Sequence, residues 1–288
     1  MAIDLAVASG GPTYQRLKRH LPAHGIAVHH VDTGPGITSL TEGIPPFPSY
    51  DVGFIYPARI VNGDVVTAIH ELQWVNSRAN ILTTRNKAGS LTKLSMAGVE
   101  IPPTIHLSSP IEWPELRSAF HRLEPPVVIK PNTATKGIGI VRVTDEDSLR
   151  GVFDYLDLIH SFSATGDRSF LLQSYVPEAL DLRLTVIDGT VAGAVERRFH
   201  DPGSGRWVRN VHRGASTLSI TPPAPVVEVA EAAASVLGVP LLGVDILMTD
   251  EQPIVLEVNG RPTIDTVEKY PADFYEQLAS LIETTASD

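Results

Sequence analysis

The chain has no cysteine, which excludes disulfides, cysteine-ligated zinc and thiol nucleophiles. Lysine is scarce, confined to Lys18, Lys87, Lys93, Lys130, Lys136 and Lys269. Basic residues number 23 against 33 acids, a formal net charge of −10. Such a chain lacks the basic surface that non-specific nucleic-acid binding needs, so no nucleic-acid partner is expected. No apolar run approaches the roughly 18 residues that cross a bilayer. No membrane partner is therefore expected, and a cytoplasmic location is. The opening stretch has no basic n-region and carries Asp4 among its apolar residues, so it reads as a strand rather than a signal peptide. The histidines show no zinc spacing, and no Gly-x-Ser-x-Gly elbow is present.

What remains is a chain of 288 residues, 43% hydrophobic, long enough for two domains or one large α/β unit. Ile3, Leu5 and Val7 alternate, Tyr14 to Leu21 is amphipathic, and Ile26 to Val31 is again apolar. This is a βαβ start with a parallel sheet. A third strand is expected at 51–56, and helix over 64–98 with a break near Val75-Asn76-Ser77. Further strands are expected at 127–131, 140–143, 170–175, 182–188, 190–198, 241–248 and 253–258. Helices are expected over 145–158, 226–237 and 271–284.

Three patterns carry chemistry. In the first, two apolar strands each hold an acid, Asp245 and Glu257, and Asn259 shares a face with Glu257 while Ile254, Leu256 and Val258 face away. One such acid alone is more often a solvated residue of an amphipathic hairpin. All three together make an oxygen-only site suited to Mg²⁺ with phosphate oxygens completing the shell. Register sets a condition. A regular hairpin with Thr249–Gln252 as its loop would put Asp245 opposite Leu256 and Glu257 opposite Val244, on opposite faces. A shared site requires a loop one residue shorter or longer, or a β-bulge.

In the second pattern, Lys130 ends an apolar strand, a costly place for an ammonium unless an anion waits there. The loop after it carries Lys136, Gly137 and Gly139, where small residues let backbone N–H groups approach phosphate. Alone, such a loop is more often a plain turn. In the third, Arg183, Arg197, Arg198, Arg209, Arg213 and Arg261 recur on successive elements with Lys87 and Lys130, a set that could gather round a polyanion. About half of them suit simple surface solubility.

The order Asn86-Lys87, Val-Ile-Lys130-Pro, Lys136-Gly-Ile-Gly, Leu-Gln173-Ser-Tyr-Val, Asp181-Leu-Arg183, Glu196-Arg-Arg198, Asn210-Val-His-Arg-Gly214, Gly243-Val-Asp245-Ile-Leu and Glu257-Val-Asn259 resembles the ATP-grasp ligases. Within them it is most similar to the RimK-like branch, which joins glutamate or a related amino acid to an acceptor carboxylate. The resemblance covers about residues 76–284. It implies an α/β and α+β ATP-grasp fold: an N-terminal α/β domain over 1–84, a central lid subdomain over 85–168 and a C-terminal subdomain over 169–288. It also implies ATP and two Mg²⁺ (or Mn²⁺) ions as cofactors, a carboxylate acceptor and an amino acid as substrates, and compatibility with a homo-oligomer.

By the same resemblance, Lys87, Lys130, Lys136, Gly137 and Gly139 would hold ATP phosphates, and Gln173, Ser174, Tyr175 and Val176 would grip adenine. Asp181 would meet the ribose. Arg183, Arg197 and Asn210 would serve phosphoryl transfer, and Asp245, Glu257 and Asn259 would bind the metals. The implied reaction is amide formation through an acylphosphate. The alternatives are an ATP-binding protein without ligase turnover and a small-molecule kinase of the same fold. Three departures stand out: Asn86 where the family has Asp, Val208-Arg209-Asn210 for Arg-Ser-Asn, and Arg261-Pro262-Thr263 for Ser-Pro-Gly. Arg261, just past the metal-binding strand, is expected to bind a substrate carboxylate.

Overall fold

Strand β1 (Ile3–Val7) lies between β2 (Ile26–His30) and β3 (Val52–Phe54), parallel to both, with α1 (Pro12–His20) crossing from β1 to β2. This is the βαβ start expected from the alternation of Ile3, Leu5 and Val7. The computed structural model describes residues 2–33, 49–134, 137–160, 166–199, 207 and 215–287. The chain continues through α2 (Ile60–His70), α3 (Arg78–Arg85) and α4 (Lys87–Met96). The expected break before α3 is built on Asn76. Its Nδ2 donates to the carbonyls of Leu241 and Gly260, and its Oδ1 accepts from the Leu241 N–H. One buried amide thus ties the first layer to the last.

The second sheet is antiparallel, in the order β4 (Thr104–Ser108), β7 (Ser169–Ser174), β5 (Val127–Pro131), β6 (Val141–Val143). Helices α5 (Trp113–Arg122) and α6 (Glu146–His160) cover it, burying Leu116, Phe120 and Leu149 against Val127, Ile129 and Phe170. Two elements here go beyond the sequence reading, β4 and α5. β4 is an edge strand with little buried surface, and its polar His106 and Ser108 weaken the apolar alternation. The 168/169 division drawn from the sequence falls just before the strand Ser169–Ser174. Ser169–Ser174 is an inner strand of this central sheet, paired on both sides.

The third sheet runs β10 (Ala215–Ser219), β9 (Thr190–Phe199), β8 (Leu180–Ile187), β11 (Leu241–Met248), β12 (Pro253–Asn259), antiparallel throughout. Helix α7 (Ala224–Leu237) packs Val226, Ala230, Ala233 and Leu237 on one face, against Leu184, Val244 and Val258. It stops at Gly238 in the left-handed region, as the sequence indicates. Helix α8 (Phe274–Ser287) returns to the first sheet, where Phe274, Leu278 and Ile282, four residues apart, pack against Leu5, Val28 and Phe54. Among the described residues no helix is long and apolar enough to cross a membrane.

The β11–β12 hairpin resolves the register condition. Met248 pairs with Pro253, Leu247 with Ile254 and Ile246 with Val255, as a regular loop dictates. The register then shifts, and Asp245 pairs with Glu257. Leu256 is the extra residue, a β-bulge that brings the two acids onto one face. The bulge also corrects the expected facing of β12. Val255 joins Val258 in the core beneath α7, while Ile254, opposite Leu247, shares the face of Glu257.

Candidate active site

A cleft of about 1850 Å³ opens between the three sheets. The face of the third sheet turned away from α7 forms its floor. In that floor Arg183 pairs across strands with Asp245, and Asp245 with Glu257, so the three form one transverse row. Asp181 pairs with Arg197 in the same way. Cross-strand neighbours share a face, so strand register alone sets opposite charges side by side.

These pairs are made. Arg183 grips Asp245 bidentately, Nε to Oδ1 at 2.6 Å and Nη2 to Oδ2 at 2.8 Å. Arg197 Nη2 reaches Asp181 at 2.7 Å and Asp245 at 3.1 Å. Burial pushes the Asp245 carboxyl up, but Arg183 and then Arg197 outweigh it and hold the group below the ordinary carboxylate range. Burial likewise opposes the charge on Arg197, yet Asp245 and Asp181 raise its pKa above the usual guanidinium value. Asp181 therefore sits in a buried ion network while also lining the cleft. Its carboxylate serves Arg197 first.

Glu257 forms no ion pair among the described residues, so its carboxylate is available to a ligand. Asn259, two residues on, lines the same cleft, and its Oδ1 accepts the Arg261 N–H at 2.9 Å. No group of three His, Cys, Asp or Glu side chains is placed to hold a metal ion among the described residues. The donors at hand are two carboxylates and one amide oxygen. That set fits a hard cation such as Mg²⁺, which takes one or two protein carboxylates and fills its shell from phosphate and water.

Lys130 enters from the second sheet. It is buried, and its Nζ donates to Gln173 Oε1 at 2.9 Å and to the Leu256 carbonyl at 3.4 Å. The bulge that aligns the acids thus also offers Lys130 an acceptor. Burial pulls the Lys130 ammonium down to about 8; Glu257 pulls it back up, while Lys87 lowers it further. Gln173 is buried and donates from Nε2 to Thr104 Oγ1 at 2.9 Å, so its side chain positions Lys130.

Lys87, at the N-terminus of α4, donates from Nζ to the Ala134 carbonyl. Asn86 caps that helix, its Oδ1 accepting from the Gly89 N–H at 3.0 Å and from Asn132 Nδ2 at 3.1 Å. An aspartate at the N-cap would accept the same backbone bond, so Asn86 preserves the local geometry.

Of the segment expected to grip adenine, the Ser174 N–H bonds to Pro103 O and the Tyr175 N–H to Pro126 O. Val176 has the first N–H in the segment with no partner among the described residues. Beside it the sequence reading misses an aromatic corner. Tyr175 and Trp207 meet edge to face at 5.9 Å, and the Arg142 guanidinium lies 5.1 Å and 5.4 Å from their ring centres. In the sequence only the Val-Arg-Val alternation of β6 hinted at Arg142.

Gly137 lines the cleft. Gly139, at φ +76°, instead turns against Pro131, whose Cγ a Cβ would meet at 2.8 Å. It shapes the loop and does not line the cleft. Lys136 and Asn210 lie outside the described residues, as do Val208 and Arg209.

Arg261 lines the cleft near α3. Burial, and after it the charge of Arg85, draw its guanidinium down to about 10. Its Nε is buried without a hydrogen-bond partner among the described residues. Arg85, also on the cleft wall, has no place in the sequence reading, although it directly precedes Asn86-Lys87.

Comparison with known proteins agrees with this geometry. Over 199 residues the chain is 32% identical to the ribosomal protein bS6–L-glutamate ligase of Escherichia coli, covering 68% of this chain. The match takes in 62% of that relative, so the chain spans less than two thirds of its length. In fold it is similar to the D-cycloserine synthetase DcsG, with a TM-score of 0.76, 17% identity and coverage of 97% and 99% of the two chains. The RimK domain ATP-grasp protein of Sphaerobacter thermophilus gives a TM-score of 0.70 at 19% identity, over 97% of this chain and 99% of that one. The sequence profile of the RimK-like ATP-grasp domain matches residues 84–282, and the chain belongs to that family.

Proposed function

We propose that the protein is an ATP-dependent carboxylate–amine ligase that joins an amino acid such as glutamate to an acceptor carboxylate. The observation that carries this reading is the bulge at Leu256, which sets Glu257 opposite Asp245 and brings both acids into one cleft with Lys130. The amino acid is suggested by the bS6–L-glutamate ligase relative.

In this reading Lys87 and Lys130 hold the ATP phosphates, and the free N–H of Val176 meets the adenine edge beside Tyr175. Asp245, Glu257 and Asn259 would hold Mg²⁺ (or Mn²⁺), as two ions, which neutralise phosphate charge when bound. A carboxylate oxygen of the acceptor attacks the terminal phosphorus in line, forming an acylphosphate as ADP leaves. The amine lone pair then attacks the acyl carbon, and phosphate departs with the electrons of the C–O bond. The nitrogen loses a proton and the amide remains. Arg183 and Arg197, fixed on Asp245, offer preorganised N–H donors that need no reorganisation as charge moves.

The test is ADP release by the purified protein with ATP, Mg²⁺, L-glutamate and a panel of acceptor carboxylates, with products read by mass spectrometry. A ligase releases ADP and phosphate and forms an amide, with both partners required. A phosphorylated product without amide would make the protein a kinase. Tight nucleotide binding with no turnover would make it an ATP-binding protein.

A further inference from the structure

We infer that Arg85 and Arg261 form a two-guanidinium clamp for a substrate carboxylate that is not activated, namely the α-carboxylate of the amine-bearing amino acid. The inference rests on the ligase reading and names a part of its amino-acid subsite.

The two arginines are far apart in sequence and meet for a steric reason. Gly260 packs so closely on α3 that a Cβ there would lie 2.5 Å from Thr84 Oγ1. Arg85 follows Thr84, and Arg261 follows Gly260. The contact that only glycine permits brings the two segments together, and both arginines line the cleft close enough for the charge of Arg85 to act on Arg261. Asn76, bonded to the Gly260 carbonyl at 2.7 Å, fixes the approach from below.

Both guanidiniums lack compensation. Neither has a carboxylate within ion-pair distance among the described residues, whereas Arg183 and Arg197 on the same cleft do. Arg85 uses one Nη2 bond, to the Ala58 carbonyl at 2.5 Å, and its other N–H groups have no partner among the described residues. Arg261 leaves a buried Nε unpaired. Buried donors in folded proteins are satisfied by protein, water or ligand, and two adjoining cations call for an anion. The planar fork of a guanidinium matches a carboxylate bidentately.

Position selects which carboxylate. Arg261 lies two residues past Asn259, beyond the end of β12, so at most about 7 Å of chain separates them. In an α-amino acid the amine and the carboxylate share one carbon. A carboxylate clamped by Arg261 therefore places its amine toward the acids and phosphates. It also keeps that carboxylate, pinned as an anion, out of line with the phosphorus. A strained residue stands on the same wall: Ile55 lines the cleft at φ +60°, a conformation that β-branched side chains rarely adopt and that clusters at ligand sites.

The test is calorimetry on the full chain saturated with AMP-PNP and Mg²⁺, titrated with L-glutamate or with its α-amide, isoglutamine. The wild type should prefer L-glutamate by roughly tenfold or more, the value of a charge-assisted bond. Arg261→Met and Arg85→Met should each weaken L-glutamate by a similar factor and erase the preference over isoglutamine. Retained AMP-PNP binding certifies folding. Should Arg261→Met fail to fold, Arg261→Lys, which keeps charge but loses the fork, should fall between wild type and Arg85→Met. A wild type that binds AMP-PNP but does not distinguish the two probes, or binds neither, overturns the clamp and leaves the ATP reading standing. Variants that retain the preference overturn it too. Failure to bind AMP-PNP would remove the ligase reading itself.

Discussion

Asp245 and Glu257 are direct cross-strand partners, and they are so because Leu256 is bulged out of the ladder between β11 and β12. The two acids share a face but not an environment. Asp245 is buried and gripped by two arginines, while Glu257 has no ion pair among the described residues. That asymmetry predicts different costs of neutralising each. Glu257→Gln should leave the denaturant midpoint nearly unchanged and raise the Mg²⁺ concentration needed for nucleotide binding. Asp245→Asn should do the same to Mg²⁺ and also lose about 3–5 kcal/mol of stability, as buried Arg197 and partly exposed Arg183 lose a counter-charge. Equal stability losses in the two variants would remove the assigned asymmetry.

Lys130→Ala should weaken ATP binding by roughly tenfold or more, because a charge-assisted phosphate contact is worth about 1.5–3 kcal/mol. Calorimetry with AMP-PNP reads this directly. An unchanged affinity would take Lys130 out of the nucleotide site.

The depressed Lys130 gives the binding a pH signature. Burial holds its ammonium at about 8 in the free protein. A triphosphate beside it favours the charged form and raises that value. Binding at pH 8 and above should therefore take up a proton, and affinity should fall as pH rises through 8. Titrations in buffers of different ionisation enthalpy will show the uptake as a buffer-dependent heat, which Lys130→Ala should abolish.

Arg197→Met removes the cation shared by Asp181 and Asp245 and strands a buried carboxylate. A loss of about 3–5 kcal/mol in urea unfolding is expected. The pair replaced together, Asp181→Leu with Arg197→Met, should recover much of that loss, since burying apolar groups in place of an ion pair is often neutral. No recovery would mean that Asp181 and Arg197 act through other partners.

Much of the site was legible in the sequence because it is local. Alternation placed Glu257 and Asn259 on one face, and the apolar setting of Lys130 marked an ammonium in need of an anion. The loop from Thr249 to Gln252 even stated the condition for a shared site, since side-chain direction reverses with each residue of a strand. What the sequence could not choose was how that condition is met, by loop length or by bulge. That depends on how β11 is held between β8 and β12.

The remaining decisions belong to contacts between distant segments. That β7 joins the central sheet, that Gln173 turns inward to Lys130, and that Asp181 answers Arg197 are matters of strand order, which local periodicity does not encode. The approach of Arg85 to Arg261 is the clearest case. In the sequence, Arg85 is one more basic residue before a helix, and Gly260 is one more turn glycine. Only when α3 packs on the end of β12 does the missing Cβ of Gly260 let Thr84 come close, and two uncompensated charges then share one wall. Alternation along a strand is fixed by its own covalent geometry; which strand ends lie together is fixed by the cores that α7 and α8 close behind them.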